Sequence, residues 1–281
     1  MSTGRENGVL GVGTSRNAAE PVIAFAGGGP SAALVAIALL RATTWLRLGY
    51  EVVLLDEYGR YARGTSCAGG DDRRLDAPVR TLSAFPDRPA HLLEWARSSG
   101  VRCSPATHLP RRVYGDYLAA TLADTTDWAW PHAAVHRRSA RVAALAADGD
   151  GVVLHIRDDR PGRASARTRS AGTGAGPAGE ERLRVAAAVV ATGDPAVHAP
   201  PPIAGVPAQR GAAGLASCPR GALITVSGGP SPCLFVVGPA RRGHRFDALP
   251  RIRDQAERLA GLIADTVLRR AGTAHRGDPA G

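Results

Sequence analysis

A glycine-rich turn between an apolar strand and a helix constrains the fold of this 281-residue chain more than any other feature. The apolar stretch VIAFA is followed by Gly27, Gly29 and Ala32 in the pattern GxGxxA, and then by helix formers over residues 33–48. Residues 52–55 form a second continuous apolar run. A strand, turn, helix and buried strand in this order predict an α/β fold with a parallel, Rossmann-like sheet.

Each residue of the turn suits a dinucleotide. Gly27 permits a tight turn, Gly29 lets the backbone approach a pyrophosphate, and the small Ala32 lets the helix pack closely on the strand. Pro30 suits the first helical turn, and the pyrophosphate would lie at the positive helix N-terminus. Asp56, which ends the second strand, would accept hydrogen bonds from ribose hydroxyls. The alternative is a glycine-rich turn in an unrelated α/β protein, with Asp56 merely solvated.

The remaining pattern predicts one domain over residues 21–271, with a β-hairpin insertion and a C-terminal helix. Polar residues 1–20 and 272–281 predict disordered tails, and the low-complexity residues 157–181 predict a flexible insertion. The other predicted elements are helices over 91–99 and 112–125, a hairpin of 142–146 and 152–156, strands over 183–191, 222–226 and 233–237, and a helix over 250–270.

Composition narrows the class of protein. The longest apolar run, residues 32–40, is far shorter than the roughly 20 residues of a membrane-spanning helix, and no secretory signal pattern opens the chain. We therefore predict a cytoplasmic protein without a membrane partner. The four cysteines form no CxxC pair and no cluster at metal-ligand spacing, so the sequence predicts no metal site and no disulfide framework.

The basic charge does not indicate a nucleic-acid partner. The net charge is +10, but all 35 basic residues are arginine, and they are scattered along the chain. Their densest group, residues 157–184, lies in a stretch rich in Gly, Ala and Ser, which is typical of a solvated loop. We expect a small-molecule substrate and no nucleic acid.

Five further segments resemble known flavoproteins. Residues 191–193 read ATG after an apolar strand, as in flavoproteins with two dinucleotide-binding folds. Residues 78–89 (PVRTLSAFPDRP) and 110–118 (PRRVYGDYL) resemble bacterial FAD-NAD(P)-binding proteins that are distantly similar to lysine and ornithine N-monooxygenases. The closing segments 234–243 (LFVVGPARRG) and 249–260 (LPRIRDQAERLA) are similar to the same family's C-terminus.

The resemblance implies that FAD is the cofactor. It places pyrophosphate and ribose near the turn and Asp56, the flavin near residues 80–83, and Gly238 with the last helix at the phosphate or the ring. The implied cofactor-binding residues are Gly27, Gly28, Gly29, Pro30, Ser31, Asp56, Glu57, Arg80, Ser83, Thr192, Gly193 and Gly238. Tyr114 and Tyr117 belong either to this site or to an aromatic core face. Arg253 and Gln255 are interpreted as the polar face of a surface helix.

The resemblance also implies an FAD-dependent oxidoreductase, monooxygenase-like, in bacterial specialised metabolism. Family members are usually longer, and neither residues 157–181 nor 194–221 could form a second nucleotide-binding unit, while the glycine cluster at 227–232 predicts a turn between strands. We therefore expect no nicotinamide domain in this chain, and electrons from the substrate, from a nicotinamide in a shared cleft or from a partner reductase. The alternatives are a flavin-binding protein with a non-redox role, such as cyclisation or a subunit of a complex, and a plain NAD(P)-binding enzyme.

Overall fold

The computed structural model describes residues 20–64, 73–157, 180–207, 214–241 and 249–269. The predicted tails, except Glu20, and most of the predicted insertion therefore lie outside the described residues. Within the described residues, no helix combines the length and the apolar composition needed to span a membrane. The elements are β1 (Val22–Ala26), α1 (Pro30–Thr44), β2 (Tyr50–Leu55), α2 (His91–Ser98), α3 (Arg111–Ala129), β3 (Ala133–Arg138), β4 (Arg141–Asp148), β5 (Gly151–Arg157), β6 (Glu180–Val185), β7 (Ala187–Val190), β8 (Ile203–Ala204), β9 (Ala222–Ile224), β10 (Pro230–Val236) and α4 (Leu249–Ile263).

The main sheet has the strand order β3-β2-β1-β7-β10-β9. All its neighbours pair in parallel except β9, which runs antiparallel to β10 at the edge. This arrangement confirms the predicted α/β, Rossmann-like fold. Since β7 pairs directly with β1, the ATG segment that follows β7 lies beside the glycine turn that follows β1.

The apolar runs are continuous because both faces of this sheet are covered. In β1, Ile23 and Phe25 pack into the core formed with the helices, whereas Ala24 packs into a second core. The second core lies against a four-stranded sheet of order β6-β5-β4-β8. Helices thus cover one face of the main sheet and the smaller sheet covers the other, leaving the strand ends as the accessible edge.

The predicted hairpin is confirmed as β4 and β5, but the next predicted strand, 183–191, is two strands. Part of it, β6, pairs antiparallel with β5, and the chain then bends at Ala186 and enters the main sheet as β7. The physical difference between them is charge: β6 carries exposed arginines, whereas every residue of β7 is buried. The pairing of Arg157 with Glu180 also places both ends of the predicted insertion in strands.

Strand β3 was not predicted from the sequence, because charged residues such as Arg137 interrupt its apolar pattern. It forms the edge of the parallel sheet beside β2. Two tryptophans that precede β3 are exposed, Trp128 over 47% of its surface and Trp130 over 70%. Trp128 packs edge-to-face on Trp45, which is also exposed.

Candidate functional site: a glycine turn at the ends of four parallel strands

The first glycine of the turn is required by its backbone. Gly27 has a φ of +108°, which side chains rarely adopt, and its N–H donates to the Leu55 carbonyl at 2.8 Å. A Cβ at this position would lie 2.5 Å from the Ala191 carbonyl oxygen and 3.1 Å from the Thr192 nitrogen. The turn is therefore held between the ends of β2 and β7, with no space for a side chain.

The second and third glycines differ in what surrounds them. A Cβ on Gly28 would lie 2.8 Å from the Cβ of Asp56, so this position needs a glycine for close approach. Gly29 has an ordinary extended backbone, and its Cβ would meet the Cα of Gly64 at 3.5 Å, a normal contact distance. The loop after β2 is tied to the same turn, because Ala62 donates its N–H to the Gly28 carbonyl at 2.7 Å. A side chain at Gly29 is thus compatible with the fold, but would project beside the N-terminus of α1.

Helix α1 begins at this turn with donors suited to an anion. Pro30 has no N–H, and the Ala33 N–H donates to the Gly29 carbonyl at 3.0 Å. The N–H groups of Ser31 and Ala32 lie in the first turn, where no intrahelical acceptor is available. No acidic side chain occupies this turn. These groups and the helix dipole favour a phosphate group at this position.

Asp56 holds the glycine turn and the loop after β2 together. Its carboxylate accepts the N–H of Gly28 at 3.2 Å, of Tyr58 at 3.1 Å and of Arg60 at 2.9 Å. The residue is only half-buried, and a carboxylate has about four lone-pair directions, so it can also accept from ribose hydroxyls. The adjacent Glu57 is exposed. Asp56 therefore fixes the geometry of the turn besides being a candidate ribose ligand.

Gly238, which follows β10, reaches the other side of the α1 N-terminus. Its φ is +71°, and a Cβ there would lie 2.5 Å from Ser31 Oγ. Its N–H donates to Oε1 of Gln255 at 3.0 Å. Gln255 is only 4% exposed, so its assignment to a polar surface face was wrong. One polar residue in an amphipathic helix carries no sequence signal of burial, whereas the GP after an apolar strand did indicate Gly238.

Thr192 adds an unsatisfied group at the same edge. Its Oγ1 is buried and has no hydrogen-bond partner among the described residues. A buried hydroxyl without a partner is costly, and a bound ligand is one way to satisfy it. Gly193 follows with a φ of +86°, and no described atom lies within 4 Å of the position that a Cβ would take there. With the α1 donors and Asp56, this group fits the ribose and pyrophosphate of a dinucleotide.

The predicted flavin-facing residues Arg80 and Ser83 lie in the loop that precedes α2. Arg80 is exposed, and its backbone N–H donates to the Pro105 carbonyl. Ser83 is 1% exposed, and its hydroxyl donates to the Arg88 carbonyl at 2.8 Å and accepts the Phe85 N–H at 3.1 Å. The Ser83 side chain is thus used inside its own loop, and no described contact joins it to the glycine turn.

The loop containing Ser83 is anchored on an aromatic core. The hydroxyl of Tyr117 accepts the Ala84 N–H at 2.9 Å and lies 2.8 Å from Nδ1 of His91. Burial raises the pKa of Tyr117 and lowers that of His91, so both side chains are neutral near pH 7. Tyr114 packs against Tyr117 and is also buried. The structure therefore resolves the open alternative for these tyrosines in favour of a core face.

Arg41, in the last turn of α1, clamps the same loop. Its guanidinium donates to both carboxylate oxygens of Asp87 at 2.8 Å and lies 4.6 Å from the centre of the Phe85 ring. Burial acts to raise the pKa of Asp87, but hydrogen bonds and the Arg41 charge lower it overall. At 1.5 Å per residue, Arg41 is about 16 Å along α1 from Pro30. The clamp is therefore remote from the phosphate-binding end of the helix.

Comparisons with known proteins match a segment that includes both the glycine turn and residues 80–83. Residues 24–174, more than half of the chain, match a family described as FAD-NAD(P)-binding. No curated protein matches the chain.

Among solved structures, three similar chains are a hydroxylase, a monooxygenase and Tmm. OxyS anhydrotetracycline hydroxylase from Streptomyces rimosus is 16% identical over 64% of this chain and 33% of that chain, with a TM-score of 0.39. The p-nitrophenol 4-monooxygenase PnpA from Pseudomonas putida DLL-E4 is 18% identical over 62% and 41%, with a TM-score of 0.36. Tmm from Pelagibacter sp. strain HTCC7211 is 15% identical over 62% and 36%, with a TM-score of 0.41. This chain thus spans well under half the length of each.

Proposed function

This chain belongs to the FAD-NAD(P)-binding family, and we propose that it is an FAD-dependent oxidoreductase acting on a small molecule. The family match confirms the sequence resemblance and the prediction of FAD as cofactor. Beyond being bound, the flavin would have a redox role. Bound FAD would supply the redox chemistry, while the protein binds and orients it.

The residues of the glycine turn would each hold one part of the cofactor. The N–H groups of Ser31 and Ala32 would receive the pyrophosphate, and Asp56 would receive the ribose hydroxyls. The Oγ1 of Thr192, which has no partner within the described residues, would donate to or accept from the bound cofactor. Gly29 would keep the pyrophosphate approach open, because it has no side chain.

One observation carries the proposal: the chain brings the ends of β1, β7 and β10 to the N-terminus of α1, and no described residue bonds the buried Thr192 Oγ1 at this edge. Gly27 contacts the end of β7, and Gly238 contacts Ser31. Ligands of open α/β sheets bind outside the carboxyl ends of the strands, which is this edge. A buried hydroxyl with no acceptor or donor in the described part of the chain supports a ligand at the same place.

We also propose that electrons reach the flavin from the substrate, from a nicotinamide in a shared cleft or from a partner reductase. We propose the cytoplasm as the location of the protein. The second glycine cluster supports the proposal on the source of the electrons. Its Gly228 donates to the Thr225 carbonyl and Thr225 donates to Gly229, which forms a turn between β9 and β10. A turn between antiparallel strands does not present a helix N-terminus to a second dinucleotide.

The test is the redox behaviour of the flavin in the purified full chain. The protein should be yellow, bleach on anaerobic photoreduction and regain its colour in air. A protein that carries FAD but cannot be reduced would contradict the redox role and favour a non-redox flavin protein. Mixing with NADPH at micromolar concentrations should bleach the flavin slowly, and rapid bleaching would show that its own cleft receives the nicotinamide.

A further inference from the structure

Gln255 lies in helix α4, 24 residues past Ser231 in β10 and far along the chain from the glycine turn. It nevertheless links α4 to the phosphate-binding end of α1. Its Oε1 accepts the Gly238 N–H at 3.0 Å, and the side chain is 4% exposed. The donor and the acceptor are both buried, so loss of either would leave the other unsatisfied. The hydrogen bond between Gly238 and Gln255 is therefore favoured over an arrangement that breaks it.

The contact determines how Gly238 meets Ser31. Because the Gly238 N–H points to Gln255, it is not offered to a ligand, and the bare Cα faces the Ser31 hydroxyl instead. The approach is close enough that a Cβ would lie 2.5 Å from Ser31 Oγ, and the same Cβ would lie 4.0 Å from Cδ1 of Ile252 in α4. Gly238 is thus held between α4 on one side and the first turn of α1 on the other.

We propose that Gln255 is a positioning residue of the cofactor site. By accepting the Gly238 N–H, it holds the exit of β10 against Ser31 and so fixes the α1 donors that receive the pyrophosphate. Its carboxamide is neutral, so it places no negative charge beside a phosphate. This inference rests on the proposed FAD site and adds to it a residue that does not itself contact the cofactor.

Gln255→Leu tests the inference, because leucine has a similar volume and no acceptor. We expect FAD and ADP, both of which carry the pyrophosphate, to bind roughly three- to tenfold more weakly, as expected for one lost hydrogen bond. Adenosine, which lacks phosphate, should compete with FAD equally well in the variant and in the wild type. If Gln255→Leu does not fold, Gln255→Met preserves the flexible side-chain shape and serves the same purpose.

Leu262→Ala is the matched control on the same helix, since Leu262 is buried and packs in the core beside α1. It should lower Tm at least as much as Gln255→Leu and leave the Kd for FAD unchanged. Equal losses of FAD affinity in the two variants, or an unchanged Kd for Gln255→Leu, would overturn the positioning role. A wild-type chain that binds no FAD would instead contradict the proposed function, and the inference with it.

Discussion

The glycine turn and the loop that contains residues 80–83 were both predicted to lie at the cofactor, yet their polar groups are used differently. In the turn, the first N–H groups of α1 have no intrahelical acceptor, and Thr192 Oγ1 is buried without a described partner. In the loop, the Ser83 hydroxyl and the Ala84 N–H are bonded within the loop and to Tyr117. The turn retains binding capacity for a ligand, whereas the loop uses its polar groups for its own fold.

This difference shows that a family motif can be present for two physical reasons. The residues of the turn are small because another group must come close, as the contact distances of Gly27 and Gly238 show. The residues of the loop instead form core contacts. Phe85 packs under the Arg41 guanidinium, and the Tyr117 hydroxyl accepts the Ala84 N–H. Substitutions should therefore separate the two regions, with effects on binding in the first and on stability in the second.

Gly29→Val should have the largest effect, abolishing detectable FAD binding while leaving a folded chain. The backbone at Gly29 is ordinary, and a Cβ meets Gly64 at a normal distance, so the fold should tolerate the side chain. The valine would occupy the approach to the α1 donors. Fluorescence titration with FAD measures the loss, and circular dichroism checks the fold. Full FAD occupancy in Gly29→Val would contradict the assignment of the turn.

Asp56→Ala should weaken FAD binding by about 1.5–3 kcal/mol, because the ribose hydroxyls lose a charged acceptor. Stability should fall as well, since three backbone N–H groups donate to this carboxylate. Asp56→Asn, which keeps one acceptor oxygen, is the control and should retain more affinity than Asp56→Ala. An unchanged Kd for Asp56→Ala would mean that Asp56 only holds the turn.

Tyr117→Phe should lower stability and spare FAD binding. Removal of the hydroxyl leaves the buried Ala84 N–H without its acceptor, which costs about 1–3 kcal/mol. Denaturant unfolding measures this loss, and a titration with FAD should give the wild-type Kd. Weaker FAD binding at unchanged stability would contradict this prediction and would place the loop at the cofactor.

Arg41→Met should have the smallest effect, at most about 1 kcal/mol of stability, because the pair of Arg41 with Asp87 is partly exposed. Methionine keeps a long flexible side chain but removes the charge and the donors to the Asp87 carboxylate. Since the folded-state pKa of Asp87 is lowered, the pair stabilises the fold above pH about 3.9 and loses this contribution as the pH falls through the lower folded value. The stability difference between wild type and variant should therefore shrink in acid, and a constant difference would argue against the ion pair.

The sequence predicted the parts of the fold that follow from local pattern. The turn was predicted from the pattern GxGxxA, which lies between VIAFA and a helix. The strands that are covered on both faces were predicted from continuous apolar runs. Strand β3 was not predicted because its parallel pairing with β2 outweighs the effect of its charged residues. The bend at Ala186 was not predicted because it depends on two sheets, which no local pattern describes. The burial of Gln255 was not predicted for the same reason, since only the approach of α4 to Gly238 shows that its side chain is buried.

The most direct measurement is the nucleotide released when the purified full chain is denatured, compared between wild type, Gly29→Val and Tyr117→Phe. Wild type and Tyr117→Phe should each release close to one FAD per chain, and Gly29→Val should release none. Release of a nicotinamide nucleotide alone from wild type, or equal FAD from all three proteins, would contradict the claim that the glycine turn is the FAD site.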